Sequence, residues 1–251
     1  MRCSGIYLNT SCEGLSIYSF IITCEHGGNV IPAPYDVLFR DERTLLDSHR
    51  GYDAGALVMA QKLATAFDGA LVTATVSRLL VDLNRSIGHP RLFSATTRRL
   101  SPAMREEILA HYYRPYRAQV EALVRQAVSE GKRVIHISSH SFTPELDGKV
   151  RRADVGLLYH PGRDGEVKLC AQWQSTLALA APALRVRRNY PYAGKGDGLT
   201  AYLRTHFSPS AYIGIELEVN QHIVQEDATQ WAALGALLPD TLRTACARDV
   251  Q

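Results

Sequence analysis

The chain has 251 residues, 46% of them hydrophobic, and 28 Lys and Arg stand against 25 Asp and Glu for a net charge of +3. That length and apolar content supply one large α/β domain with a sizeable core. The arginine pairs Arg98-Arg99, Arg151-Arg152 and Arg187-Arg188 are scattered, which argues against a nucleic-acid surface, and no apolar stretch is long enough to span a bilayer.

Residues 1 to about 16, mixed and containing Asn9, Ser11 and Gly14, read as a loose extension ahead of a single domain over 17–251. The N-terminus has one basic residue, Arg2, and no apolar run suited to a leader. Five cysteines without CxxC spacing argue against a disulfide framework, so a reducing cytoplasm is expected. The apolar, β-branched segment 20–24 is the first strand. Residues 41–67 carry apolar side chains at helical spacing, with a break near Gly51. A strand at 70–76 follows. Ser101, with Pro102 behind it, starts a helix that runs to about Glu130 and stops at Gly131. Strands at 133–138, 155–159, 183–187 and 211–218 alternate with helices at 166–179 and 228–248. The pattern predicts a three-layer α/β/α domain around a mixed sheet. Two polar stretches stay irregular, 83–90 and 189–198, the latter with Gly194, Gly196 and Gly198. Polar loops hung on a sheet are where binding residues concentrate.

The chemistry-bearing residues sit in short blocks at strand ends. Glu25-His26-Gly27-Gly28-Asn29 follows the first strand, Ser139-His140-Ser141 the third, and Glu216-Leu217-Glu218 closes the strand at 211–218. In open α/β sheets such ends converge on one crevice. His136 shares its face with His140 but lies deeper, as a structural residue. Asp47-Ser48-His49-Arg50-Gly51-Tyr52-Asp53 adds three further donors. Catalytic zinc takes three protein ligands and keeps one position open, and His26, Asp53 and His140 would form such a set. The spacing leaves Glu25 and His49 open as alternatives to Asp53. Glu216 and Glu218 face one way along their strand, and a carboxylate beside an activated water can take its proton and deliver it to a leaving nitrogen. Arg78 and Arg85 lie among apolar residues, where guanidinium suits a substrate's carboxylates or pairs with Asp82. Two rival readings stand beside the metallohydrolase: a metal-free hydrolase with Cys24 as nucleophile beside His26, and a non-catalytic anion-binding protein built on the arginines and the glycine-rich loop.

Glu25-His26-Gly27-Gly28-Asn29, Ser77-Arg78 through Asp82-Leu83-Asn84-Arg85, Ser139-His140-Ser141 and Glu216-Leu217-Glu218 resemble the N-formylglutamate amidohydrolase family over about residues 20 to 222. The resemblance implies a phosphorylase/hydrolase-like α/β/α fold related to zinc exopeptidases and hydrolysis of an N-acyl amino acid such as N-formylglutamate. By position, His26 and His140 match the family's strand-end histidines, Asp53 its helix aspartate and Glu218 its strand glutamate. Arg78, Asp82, Asn84 and Arg85 match its central run. On this reading zinc sits on His26, Asp53 and His140. Glu218 moves the proton with Glu216 tuning it, Arg78, Asn84 and Arg85 hold a small carboxylate-bearing substrate, and Tyr192 and Lys195 close over it. The block at 25–28 and the loop around Lys195 depart from the family's pattern, as in a divergent branch. A fainter similarity, to zinc-dependent N-acetylmuramoyl-L-alanine amidases, supports the same chemistry.

Overall fold

The structure, a computed structural model, describes residues 15–249; most of the expected N-terminal extension lies outside them. Six strands form the main sheet in the order β2 (Ala70–Thr73), β1 (Tyr18–Cys24), β3 (Arg133–Phe142), β8 (Tyr212–Asn220), β6 (Val155–Leu158) and β7 (Val186–Arg188). The first four are parallel; β6 runs antiparallel to β8 and parallel to β7. A two-stranded hairpin, β4 (Glu145–Leu146) with β5 (Lys149–Val150), hangs beyond β3.

The two faces of the sheet differ in chemistry because side chains alternate along each strand. One face presents Ile22 and Cys24 from β1, Ile135 and Ile137 from β3, and Ile213, Ile215 and Leu217 from β8. Onto it pack α2 (Ala56–Phe67), α5 (Asp164–Ala180) and, after the short α7 (Gln221–Glu226), α8 (Ala228–Asp249) through Met59, Leu63, Trp173, Leu177, Leu238 and Leu242, all buried. Each such side chain contributes about 1.5–3 kcal/mol by leaving water. The other face is apolar only at the N-terminal ends of its strands, where Ile21, Val134 and Tyr212 meet Val120 and Val124 of α4 (Arg114–Ser129) and Leu199 and Leu203 of α6 (Leu199–His206). Towards the C-terminal ends it turns polar, with Thr23, His136, Ser138, His140, Glu216 and Glu218. The result is a three-layer α/β/α fold with all its chemistry on one side of the sheet. Among the described residues no helix is long and apolar enough to cross a membrane.

The helix expected from Ser101 is present: Ser101 Oγ accepts from Met104 N (3.2 Å), and such a cap contributes about 1 kcal/mol. It runs as α3 (Pro102–Ile108), one π turn (Leu109–Tyr113) and α4. The segment expected as a helix with a break divides further than its spacing implies, into α1 (Arg43–Leu46) and α2 with an irregular stretch between. Asp53 therefore lies in a loop and shares no helix face with His49. Its backbone N donates to His26 O (2.9 Å), and Gly55 turns the chain into α2 at φ 79°. Helix α6 arises where periodicity gave no signal.

Candidate active site

β1, β3 and β8 are neighbours, so their C-terminal ends meet. His140 is within β3 and pairs with Glu218 of β8; Ser138 pairs with Glu216. His26 leaves the end of β1, where Gly27 N donates to Ala74 O (3.0 Å) and folds the turn against the chain leaving β2. A Nδ1 of His26, an Oδ of Asp53 and a ring nitrogen of His140 come together: one ligand atom from each of these three buried residues lies within 4.8 Å of the others. Asp53 Oδ2 is 2.8 Å from His140 Nδ1 and 3.3 Å from His26 Nδ1.

Each histidine is held from behind by a second carboxylate. His26 Nε2 lies 2.8 Å from Asp82 Oδ1, and His140 Nε2 lies 3.1 Å from Glu25 Oε2. These partners leave both Nδ1 atoms turned towards Asp53. Glu25 thus stands behind His140 and outside the triangle, and its other oxygen accepts from Tyr116 Oη (3.0 Å) while Ser138 Oγ donates to Oε2 (2.6 Å). Burial alone would raise the Glu25 carboxyl, but its hydrogen bonds and charge interaction with His140, with the Ser138 hydroxyl, hold it well below the usual range. Asp53 is likewise held low against burial by His26, His140 and Arg78. Burial would lower His140, yet its bonds to Asp53 and Glu25 raise it well above an ordinary imidazole. The field that keeps a proton on His140 would equally hold a cation, and zinc sits roughly 2.0–2.2 Å from nitrogen and oxygen ligands, which suits a triangle of this size. Two imidazoles and a carboxylate, each imidazole backed by a carboxylate, fit a divalent metal. Glu25→Gln is expected to weaken metal binding about 10–100-fold with the fold retained. Competition with a chromogenic chelator measures this, and a dissociation constant within about twofold of the parent's would remove Glu25 from the metal's support.

Glu218 is buried beside this triangle, and its Oε2 has no hydrogen-bond partner among the described residues. Burial pushes its carboxyl up to about 8; the positive His140 works against this, and the negative Asp53 and Glu216 add to it. Glu216 is half-buried and its Oε1 accepts from Thr200 Oγ1 (2.8 Å). Gly198 permits that approach: a Cβ there would stand 2.9 Å from Asn84 Oδ1 and 3.0 Å from Glu216 Oε1.

The cavity over these groups has a volume of about 740 Å³ and is lined also by His49, Arg78, Asn84, Arg85 and Tyr192. Arg78 is largely committed: it donates to Asp82 Oδ2 (2.7 Å) and Asp53 Oδ1 (3.4 Å) and so braces the site's own carboxylates. The Asn84 side chain is also committed, its Oδ1 accepting from Leu199 N (2.6 Å) at the start of α6. Arg85 gives one nitrogen to Asp197 O (2.6 Å), while its Nε is buried without a partner among the described residues. Tyr192 is exposed at the rim, bonded by Arg151 (3.0 Å). Lys195 does not line the cavity; Asp197, bound to Ser86, and Gly194 N, bound to Asn189 Oδ1, fix the loop with Lys195 in solvent. His49 is at the exposed rim, outside the metal triangle. Cys24 is on the opposite, apolar face, where burial first, then Glu25 and Asp53, raise its thiol well above normal; a thiolate nucleophile does not form there. His136 is fully buried between Thr23 Oγ1 (2.8 Å) and Tyr212 Oη (2.6 Å) and is structural. The sequence reading missed Asp82 and Glu25 as supports for the histidines, and Tyr116, because nothing in their spacing tells which imidazole nitrogen each would meet.

The description of the family model that matches the chain, over residues 18–224, is N-formylglutamate amidohydrolase. The chain belongs to that family. As an N-formylglutamate amidohydrolase family member it is a hydrolase acting on amide bonds. A gene product from Agrobacterium tumefaciens of known crystal structure is 26% identical, with 93% of this chain and 92% of that one covered at a TM-score of 0.81. The N-formylglutamate amidohydrolase from Ralstonia eutropha JMP134 is 20% identical over 90% of this chain and 92% of its own, at a TM-score of 0.67, and shares the fold. No curated protein matches the chain significantly by sequence.

Proposed function

We propose that this family member hydrolyses the amide of a carboxylate-bearing N-acyl amino acid such as N-formylglutamate with one divalent metal, zinc by its donor set, on His26, Asp53 and His140. The observation that supports this most is the convergence of those three ligand atoms next to a buried carboxylate oxygen, Oε2 of Glu218, that has no partner among the described residues. When bound, the metal would polarise the acyl carbonyl and acidify water. Glu218, whose carboxyl is raised by burial and would be brought back down by a neighbouring cation, takes the proton of the attacking water and returns it to the leaving nitrogen. The hydroxyl ends on the acyl carbon and the hydrogen on the amine. Arg85, with an unspent Nε, grips a substrate carboxylate, and Arg78 keeps Asp53 and Asp82 in place. A reducing cytoplasm suits Cys24 and Cys170, which are buried free thiols.

Turnover of a panel of N-acylated amino acids, with metal content measured in parallel, tests the reading. About one equivalent of zinc and loss of formate release on chelation, restored by zinc, is the expected result. Less than about 0.2 equivalents of any divalent metal, with turnover indifferent to chelator, overturns it.

A further inference from the structure

The catalytic cavity, at about 740 Å³, is of the size that encloses a drug-sized ligand (roughly 300–1,000 Å³) and exceeds what a formylated single amino acid fills. Its wall runs outwards from Arg85 along the segment that carries His89, Arg91, Phe93 and Arg98. There a second groove of about 370 Å³ adjoins it, sharing His89, Phe93 and Arg98. The groove is apolar along Ile87, Leu92, Pro102 and Leu109, and it also carries Arg105. The Arg105 guanidinium lies 5.9 Å from the centre of the Phe93 ring, and its Nε is buried without a partner among the described residues. Arg98 spends one nitrogen on the Pro90 and Phe93 carbonyls (2.8 and 3.4 Å). Of the residues lining this groove one is acidic, Glu106, and its carboxylate is taken by Arg114 (2.7 Å). The path leading out of the site is therefore apolar in its middle and cationic at Arg98 and Arg105.

Resting on the function proposed above, we propose that the physiological substrate is an N-acylated acidic peptide, longer than a single amino acid. Its first amide is cleaved at the catalytic floor, an apolar side chain crosses Phe93 into the groove, and a distal carboxylate meets Arg98 and Arg105. The extension leaves on the amino-acid side because Arg85, which grips that side's carboxylate, begins the segment that forms the path. Water adds across the scissile bond, the hydroxyl going to the acyl carbon and the hydrogen to the peptide nitrogen, so a free peptide and a carboxylic acid are released.

The test compares kcat/KM of the zinc-loaded full chain on N-formylglutamate, N-formyl-Glu-Leu-Glu and N-octanoylglutamate. One charge-assisted contact is expected to favour the tripeptide by about tenfold, mostly through KM. Arg105→Ala and Arg105→Glu are expected to remove most of that advantage while N-formylglutamate turnover stays within about twofold of the parent's, which also certifies the fold. A tripeptide no better than N-formylglutamate overturns the proposal, as do Arg105 variants that slow both substrates equally. Preference for N-octanoylglutamate also overturns it, by putting the long arm on the acyl side. If none of the three is hydrolysed, it is the underlying reading of the site that has failed.

Discussion

Glu218→Gln lowers kcat by about 10²–10⁴-fold, the range for loss of a general base, while the metal stays bound in the same amount. Glu218 is next to His140 in the sheet yet outside the ligand triangle, so its loss removes a proton acceptor and no metal ligand. The amide keeps the shape of the carboxylate but cannot accept a proton from water. Glu216 is the rival base, but one of its oxygens is already occupied by Thr200. Single-turnover measurements with metal analysis on the same samples check the result. A variant that kept more than about a tenth of the parent kcat would pass the role to Glu216.

The same substitution is expected to stabilise the metal-free protein, and by an amount that grows with pH. Glu218 ionises near the usual 4.5 when unfolded and near 8 when folded, chiefly because burial disfavours its charge. Below about 4.5 both states hold the proton and nothing is lost. Between 4.5 and 8 the unfolded chain releases the proton and the folded one keeps it, so wild-type stability falls as pH rises. Glutamine has no such titration. In chelator, Glu218→Gln is therefore expected to exceed wild type by less than about 1 kcal/mol at pH 5 and by roughly 3–5 kcal/mol at pH 8.5. With metal bound the gap narrows, since a nearby cation favours the carboxylate. Urea unfolding at the two pH values decides; a difference independent of pH would mean that the folded-state carboxyl is not raised.

The sheet was legible because β-branched runs and alternation are local signals, and β1, β3 and β8 announce themselves. The antiparallel direction of β6 was not, since no local pattern encodes which way a strand is laid. Helix α6 escaped because its first N–H is satisfied by Asn84, more than a hundred residues earlier in the chain, so that no capping residue precedes it. For the site, strand-end position brought His26, His140 and Glu218 into view. What spacing could not tell was which nitrogen faces which carboxylate. Arg78 read as a substrate grip or a partner of Asp82 because an arginine among apolar residues needs an anion; the second carboxylate it meets, Asp53, comes from a separate loop. Lys195 read with Tyr192 as closing over the substrate, but the polar bonds of Asp197 and Asn189 decide where that loop points.

The wide turn between α3 and α4 ties this chemistry to chain length. Tyr113 Oη donates to Arg85 O (2.7 Å), Tyr116 Oη to Glu25 and Arg117 to Leu83 O (3.1 Å), so one helical stripe supports the site from the side away from substrate. A π turn holds one residue more than an α turn, and each residue rotates a helix by about 100°. An insertion or deletion of one residue elsewhere in α3 or ahead of Tyr116 would swing this stripe by about that angle relative to α3, whereas loss of the extra residue within 109–113 leaves it nearly in phase, because the missing residue and the tighter winding cancel. Over evolutionary time this back wall can accept changes of side chain on its outer positions far more readily than a change of length outside the wide turn.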